Sequence, residues 1–287
     1  MPPAPEPIHL FIADATAPSD PAALGALLAR MKHVDTLEAD DACPATPFEL
    51  ALARAHRLPG APGRVPWAAF EAGITGTPCA RLYPCHWQLG LDSVLLADPA
   101  ALQLTSDESR ALLAAVQPLL AEDGVELTYQ QPNVWLAQGE LWRGLTTWSM
   151  QRALHQPLTR GVLAQAIDAK QGAQLRRLQA EVEMLLHGHP ANAARERQGR
   201  HTINALWIDG AGALDAPHQP NPQVRAAWHI HATIADVLRR EIDGAANSRL
   251  TLCGPRRALT FAPARGLGAT ITNFLRPQRL PGLINQL

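Results

Sequence analysis

Residues 181–214 read EVEMLLHGHPANAARERQGRHTINALWIDGAGAL, and this stretch sets the expectation for the whole fold. Its first part carries apolar residues at helical spacing and ends at 188–190, where glycine and proline stop a helix. A second short helix is expected from Asn192 and ends at Gly199. The β-branched and aromatic residues of 202–209 then predict a strand. The succession of helix, helix and strand indicates an α/β protein.

Helices and strands also alternate in the rest of the chain of 287 residues. The clearest helix is expected over 104–124, where Thr105 and Glu108 have the spacing of a capping box. The other expected elements are strands over 8–14, 92–98, 249–254 and 257–264, a hairpin over 125–138, and helices over 18–34, 159–198 with its break, 221–244 and from Thr270 onwards.

This alternation predicts an α/β fold with a mixed sheet and flanking helices. We expect two lobes, an N-terminal α/β lobe over 1–150 and a C-terminal lobe over 151–287 that carries the stretch quoted above. The boundary near 150 is soft, and a single domain is the alternative. Neither arrangement predicts an oligomeric state.

The composition narrows the class of protein. A hydrophobic content of 47% and a formal net charge of -1 are typical of a soluble globular protein, without the basic excess of a nucleic-acid-binding protein. No apolar run approaches the roughly 20 residues needed to cross a bilayer. The N-terminus lacks the pattern of a signal peptide, and the four cysteines form no CxxC pair. We therefore expect a cytoplasmic protein with no membrane or nucleic-acid partner.

Three interpretations compete for the polar stretch. The first is an anion site, in which the N-terminus of the second helix, His189 and one of Arg195 or Arg197 hold a phosphate or carboxylate. The second is a metal site using His187 and His189, alone or with His229 and His231, but no carboxylate at a useful spacing completes it. For this reason we expect no metal and no cofactor.

The third interpretation is purely structural. Polar side chains at chain breaks commonly bond to the backbone, so His189, Asn192 and Asn204 could tie the two helices to the strand. Other chemistry has weaker support, because the chain lacks the dinucleotide, P-loop and nucleophile-elbow patterns. Cys79 and Cys85 precede His86, which is either a second site residue or a satisfied core histidine.

The polar stretch resembles the RpfE-type regulatory proteins of proteobacteria. Their pattern is a helix ending MLLH-x-HPVN, then AAR-E-x-x-G, then an NSLW strand closed by glycines. The matching residues here are Met184, Leu185, Leu186, His187, His189, Pro190, Asn192, Ala193, Ala194, Arg195, Glu196, Gly199, Asn204, Leu206 and Trp207. The capped helix and the tryptophan-containing hairpin before this stretch also fit the family, so the resemblance covers roughly 79–215.

Members of that family are often labelled cofactor-independent phosphoglycerate mutases, and the archaeal-type enzyme has a similar run. The residues that match it are His189, Pro190, Asn192, Arg195, Gly199, Asn204, Gly210, Ala211 and Gly212. Asp209 stands where that pattern has an arginine. Such mutases use a nucleophilic serine with aspartate and histidine ligands for two divalent cations, and this chain shows neither their aspartate–glycine entry motif nor a late aspartate–histidine cluster.

The resemblance implies an RpfE-type, phosphoglycerate-mutase-like protein without the metal and nucleophile centre, and therefore a protein that binds a small anionic metabolite in a metabolic or regulatory role. An active phosphoglycerate mutase or another phosphoryl-transfer enzyme is the alternative. No catalytic residue is assigned. The expected ligand-binding residues are His187, His189, Asn192, Arg195, Arg197 and Asn204.

Overall fold

The computed structural model describes residues 7–15, 21–89, 93–154, 164–165, 167–227 and 248–264. Their contacts divide the chain into two compact units, one formed by Met1–Arg57 with Gln219–Leu287 and the other by Leu58–His218. The boundary expected near 150 lies inside the second unit. The division of the chain by contacts therefore differs from the lobes expected from the sequence.

Strands and helices alternate along the described residues, as the sequence predicts. The strands are β1 (His9–Ile12), β2 (Met31–Glu38), β3 (Cys79–Cys85), β4 (Trp87–Leu89), β5 (Val94–Leu96), β6 (Glu126–Gln131), β7 (Val134–Gln138), β8 (Thr146–Thr147), β9 (Ala164–Gln165), β10 (Ala205–Gly212), β11 (Val224–Ala227), β12 (Arg249–Cys253) and β13 (Arg257–Pro263). The helices are α1 (Pro21–Leu28), α2 (Pro47–His56), α3 (Trp67–Ala72), α4 (Pro99–Leu102), α5 (Ser106–Glu122), α6 (Met150–Ala153), α7 (Ala169–His187) and α8 (Pro190–Arg197), with a 3-10 turn over Glu140–Trp142.

The first unit is built on a mixed sheet with the described strand order β11-β1-β12-β13-β2. Strand β1 is parallel to both β11 and β12, whereas β13 is antiparallel to β12 and β2. Apolar residues of β1, β12 and β13 pack with Leu24 and Leu28 of α1 in one buried cluster. The predicted α/β fold with a mixed sheet and flanking helices is confirmed.

The second unit is built on an antiparallel sheet with the described order β10-β3-β7-β6. Helix α5 contacts β6 and α7, and α7 contacts β10. Their apolar faces form the larger core, in which Leu112, Trp135 and Val182 are buried. This core positions the α7–α8 break next to the start of β10.

Several sequence predictions are confirmed in this unit. Thr105 and Glu108 form the predicted capping box of α5, since each side chain accepts a hydrogen bond from the backbone N–H of the other. Strands β6 and β7 form the predicted hairpin.

Within the described residues, no helix has both the length and the apolar content required to cross a bilayer.

Three helix predictions are wrong in their extent. The helical stretch expected from 159 contains the strand Ala164–Gln165, which pairs with β8, and the helix that follows begins only at Ala169. The helix expected over 18–34 ends at Leu28, and Met31–Glu38 is a strand because it pairs along its whole length with β13. The helix expected over 221–244 does not start as a helix, because Val224–Ala227 pairs in parallel with β1. The residues from 228 to 244 lie outside the described residues, as does the helix expected from Thr270.

Candidate functional site

The N-terminus of α8 is closed by its own residues. His189, not Asn192, is the N-cap, and its Nδ1 accepts a hydrogen bond of 3.1 Å from the Ala191 N–H. Pro190 has no N–H to donate, and the N–H groups of Asn192 and Ala193 donate to the His189 carbonyl at 2.9 and 3.2 Å. The donors of the first turn are therefore used within the helix. This arrangement leaves no free backbone cradle there for an anion.

Asn192 connects the end of α7 to the start of β10. Its side chain is 1% exposed, and its Nδ2 donates to the carbonyls of Leu186 and Ile203, both at 2.7 Å. Its Oδ1 accepts a hydrogen bond of 2.8 Å from the Ile203 N–H. An amide side chain can donate twice and accept at once, which explains why asparagine occupies this buried position.

Arg195 is buried in a similar network, with a relative exposure of 0%. Its Nε donates to the His201 carbonyl at 2.6 Å and its Nη2 to the Leu102 carbonyl at 2.5 Å. Its Nη1 lies 3.1 Å from Oε2 of Glu108, the capping-box carboxylate of α5. Glu181 of α7 pairs with Arg177 and not with Arg195. The partner is Glu108 because the fold places α8 against α5.

Glu108 is shared between two arginines. Nη1 of Arg200 lies 3.1 Å from its Oε1, on the oxygen that Arg195 does not use. Burial alone would raise the pKa of Glu108, but the Thr105 N–H and the charges of Arg195 and Arg200 outweigh it and hold this pKa below its ordinary value. Glu108 is therefore ionised at neutral pH, and the buried Arg195 charge is compensated.

Asn204 also bonds to the backbone. Its Oδ1 accepts from the Trp87 N–H at 2.7 Å, and its Nδ2 donates to the Trp87 carbonyl at 3.0 Å. Nδ1 of the neighbouring His86 lies 2.8 Å from the Thr202 carbonyl. His86 thus has a structural partner, in line with its interpretation as a satisfied histidine. Together these bonds attach the β4 hairpin to the start of β10.

The six predicted site residues therefore separate into two groups. The side chains of His189, Asn192, Arg195 and Asn204 are buried or half-buried and bond to the backbone, whereas His187 and Arg197 are exposed on the surface. Arg197 donates only to the Ala193 carbonyl, at 3.2 Å, among the described residues. None of the six lines the cavity at the far end of β10 or the apolar cavity beside α7. Ligand binding at these residues stays a prediction, and the geometry favours the structural interpretation for the buried ones.

A site that is open to solvent lies at the C-terminal end of β10, opposite the end that adjoins the α7–α8 break. We call it the arginine pocket, a cavity of about 270 Å³. Two of its wall residues, Arg64 and Arg143, are cations, while Asp215 is its one described carboxylate. The full lining comprises Pro59, Gly60, Arg64, Pro66, Arg143, Gly144, Leu145, Ala211, Gly212, Ala213 and Asp215.

The two arginines are held differently. The exposed Arg64 donates its Nε to Oγ1 of Thr146 at 2.7 Å and forms no ion pair with a described carboxylate. Arg143 pairs with Glu140 through Nε, at 2.7 Å, and donates Nη2 to the Gly76 carbonyl at 3.2 Å. The hydrogen bond that Arg143 donates to Glu140 is the main cause that raises the pKa of Arg143, and the charge of Asp215 adds to it. Arg64 is thus the less compensated cation.

Asp209 is buried and bonds to other residues of the protein. It is 4% exposed, lies 3.2 Å from Nη2 of Arg81, and accepts the Met150 N–H at 3.2 Å. It is not part of the arginine pocket lining. The position that carries an arginine in the archaeal pattern therefore holds a carboxylate that is neutralised by the adjacent strand β3.

The cysteines next to His86 are poor nucleophiles. Burial raises the pKa of Cys79 to about 11 and that of Cys85 to about 12, so both remain thiols at neutral pH. In the part of the chain that the structure describes, no three His, Cys, Asp or Glu side chains are grouped so that they could hold a metal ion. His229 and His231 of the proposed metal set lie outside the described residues.

The sequence analysis missed Arg64 and Arg143. Arg64 belongs to the segment 57–67, whose proline and glycine content predicts only a loop, and Arg143 follows the Glu140–Trp142 turn. They meet only because β8 pairs with the loop, with the Thr147 N–H donating to the Gly63 carbonyl at 2.9 Å. The one nearby sequence feature that pointed to this site was the pair Gly210 and Gly212 at the end of β10.

No protein-family model matches the chain, and no curated protein has a significant sequence match to it. Solved structures similar to it include the cofactor-independent phosphoglycerate mutase from Thermoplasma acidophilum DSM 1728, at 11% identity and a TM-score of 0.39 over 98% of this chain and 99% of that one. Another is the PH0037 protein from Pyrococcus horikoshii, at 12% identity and a TM-score of 0.43 over 98% of each chain. Both are distant similarities.

Proposed function

We propose that this chain is an RpfE-type, phosphoglycerate-mutase-like cytoplasmic protein that binds a small anionic metabolite in a metabolic or regulatory role. The sequence resemblance over roughly 79–215 supports the family. The arginine pocket is the location for the anion that the geometry supports best, because it is concave, reaches solvent and has more cations than carboxylates in its wall.

The observation that carries this proposal is the state of Arg64. Thr146 fixes its guanidinium through Nε, and no described residue forms a hydrogen bond with its two terminal NH2 groups. Those groups form the planar fork that matches two oxygens of a carboxylate or phosphate. An arginine that is positioned by one hydrogen bond and has no carboxylate partner is suited to bind an anion.

Arg143 supplies the second positive charge of the pocket. Because Glu140 compensates most of that charge, Arg143 orients a ligand more than it attracts one. Asp215 further lowers the net charge of the wall. The volume of about 270 Å³ fits a metabolite of a few carbon atoms that carries one phosphate or carboxylate.

The residues first expected to bind the anion form a second location for the same activity. His187 and Arg197 are exposed, and His189 is half-buried. None of them lines the arginine pocket or the apolar cavity beside α7. Arg64 and Arg197 therefore represent the two competing locations.

Calorimetric titration with inorganic phosphate and with 3-phosphoglycerate tests the proposal. Arg64→Ala is expected to weaken binding roughly tenfold, the scale of one hydrogen bond to a charged group. Arg54→Ala removes the same charge from an exposed position on α2 and serves as the matched control, with affinity unchanged within twofold. Unchanged affinity in Arg64→Ala would contradict the pocket assignment, and a selective loss in Arg197→Ala would move the site to the helix break.

The enzyme alternative has its own test. Purified protein is expected to show no interconversion of 2- and 3-phosphoglycerate, with or without added manganese. Turnover that survives further purification and disappears on substitution of a single residue of this chain would establish the mutase instead.

A further inference from the structure

A second cavity lies in the second unit, and it is apolar. We call it the α7 cavity. It has a volume of about 240 Å³ and shares no lining residue with the arginine pocket. Its walls come mainly from Leu175, Leu178 and Val182 of α7 and from Leu206 and Ile208 of β10. Such walls favour an apolar occupant, because they offer dispersion contacts and few hydrogen bonds.

Trp142, which also lines the α7 cavity, carries an unusual polar group. Its side chain is 2% exposed, yet its indole N–H has no hydrogen-bond partner among the described residues. Two equally buried tryptophans are satisfied, since Trp135 Nε1 donates to Ser109 Oγ and Trp207 Nε1 to the Trp148 carbonyl, each at 2.9 Å. Buried indole N–H groups normally find such a partner, so Trp142 is an exception, and the indole N–H of the half-buried Trp87 is a second one.

The cavity reaches solvent along one face of α7. Arg176, Ala180 and Glu183 line it and are exposed, at helical spacings that place them on the same face. One cation and one anion at the opening leave no net charge to select a charged ligand. Two buried polar groups in the wall lack a hydrogen-bond partner among the described residues, the indole N–H groups of Trp142 and Trp87, and both are donors. Trp142 belongs to the more buried side chain, since Trp87 is only half-buried.

We propose that the α7 cavity binds a small, uncharged and mostly apolar molecule with one oxygen acceptor, which accepts a hydrogen bond from Nε1 of Trp142. The size is adequate, because an apolar cavity of about 150 Å³ is enough to hold benzene. The acceptor satisfies the indole N–H while the rest of the molecule contacts the leucine and isoleucine side chains. This site is independent of the arginine pocket, so either proposal can fail alone.

Acetophenone and ethylbenzene are matched probes, because they have similar shapes and only acetophenone carries a carbonyl. The chain has 7 tryptophans, so its indole N–H groups can be followed in a nitrogen-15 correlation spectrum. The Trp142 signal is the one absent from Trp142→Phe, and its nuclear Overhauser contacts identify it independently in the wild type. Acetophenone is expected to move this signal downfield, whereas ethylbenzene is expected to bind more weakly and to leave it without a downfield shift.

Affinities in the variant complete the test. Trp142→Phe keeps an aromatic ring but removes the donor, so it is expected to weaken acetophenone roughly fivefold and to leave ethylbenzene within twofold. Binding of neither probe to the wild type, or equal binding of both without a shift of the Trp142 signal, would overturn the proposal. The wild-type comparison alone decides the matter if the variant does not fold.

Discussion

Arg195 and Glu108 form an ion pair of 3.1 Å between Nη1 and Oε2 in which the arginine is fully buried. Glu108 also accepts the Thr105 N–H at 2.9 Å, which closes the capping box of α5. One carboxylate thus joins the start of α5 to α8, and its pairing with Arg200 adds the loop that follows α8. The polar residues concentrated in 181–214 hold this unit together.

Arg195→Ala is expected to destabilise the protein strongly. The change removes one of the two arginine partners of Glu108 and the side-chain donor to the His201 carbonyl, and it leaves the Leu102 carbonyl with the longer bond of 3.4 Å from Arg200. We expect the free energy of unfolding to fall by roughly 3 to 5 kcal/mol, the scale for breaking a buried pair. Urea denaturation followed by circular dichroism measures this change. Arg197→Ala is the control, because Arg197 is exposed and should cost less than about 0.5 kcal/mol. Similar midpoints for both variants would contradict the buried network.

Asn192→Ala is expected to lower the free energy of unfolding by roughly 2 to 4 kcal/mol. It leaves both backbone groups of Ile203 without their partner in a buried place and removes one of the hydrogen bonds to the Leu186 carbonyl. Thermal denaturation checks the change. Asn204→Ala removes two bonds to Trp87 from a half-buried position and should cost less. A larger loss in Asn204→Ala than in Asn192→Ala would contradict the account.

The local features of the site were readable from the sequence. The Thr105–Glu108 capping box depends on residues three apart, and the break at 188–190 depends on adjacent glycine and proline. The expectation of a mixed α/β sheet needed only the alternation of periodic segments. Such features are set by neighbours in the chain, so they do not require knowledge of the packing.

Features that depend on distant pairing were not readable. Residues 31–34 continue the helical pattern of 18–34 in the sequence, but pairing with β13 makes Met31–Glu38 a strand. The same holds for Val224–Ala227, which pairs with β1. Glu108 and Arg195 are far apart in the chain, so the partner of Arg195 could not be found from helical spacing. The arginine pocket could not be predicted for the same reason, because Arg64 and Arg143 approach each other only through the pairing of distant loops.

The stability of the first unit is expected to depend on His9. Burial, with a smaller contribution from the charge of Arg249, lowers the pKa of His9 from 6.5 to about 4. Between these values the unfolded chain binds a proton that the folded chain does not, so stability is full above pH 6.5 and is lost as the pH falls toward 4. Urea denaturation at pH 7, 5.5 and 4.5 should show a steeper loss in the wild type than in His9→Gln. Equal slopes would contradict the assignment.

Gly210 is expected to tolerate no side chain. Its φ of 61° lies in the left-handed region, and a Cβ there would lie 2.9 Å from Cβ of Trp67. Gly199 has a similar φ of 67° but open space around its Cβ position, which makes it a matched control. Both alanine substitutions should cost about 1 to 2 kcal/mol for the backbone, and Gly210→Ala about 1 to 3 kcal/mol more for the clash. Equal melting temperatures would show that Trp67 can move.

The central claim is that the anion binds at the arginine pocket and not at the α7–α8 break. A titration of isotopically labelled protein with 3-phosphoglycerate, followed by the backbone amide and arginine Nε–H signals, locates the ligand directly. We expect the largest shifts at Arg64, Arg143 and Gly212, with those of His189 and Arg197 unchanged. The largest shifts at His189 and Arg197, or no saturable shift at any residue, would contradict the claim.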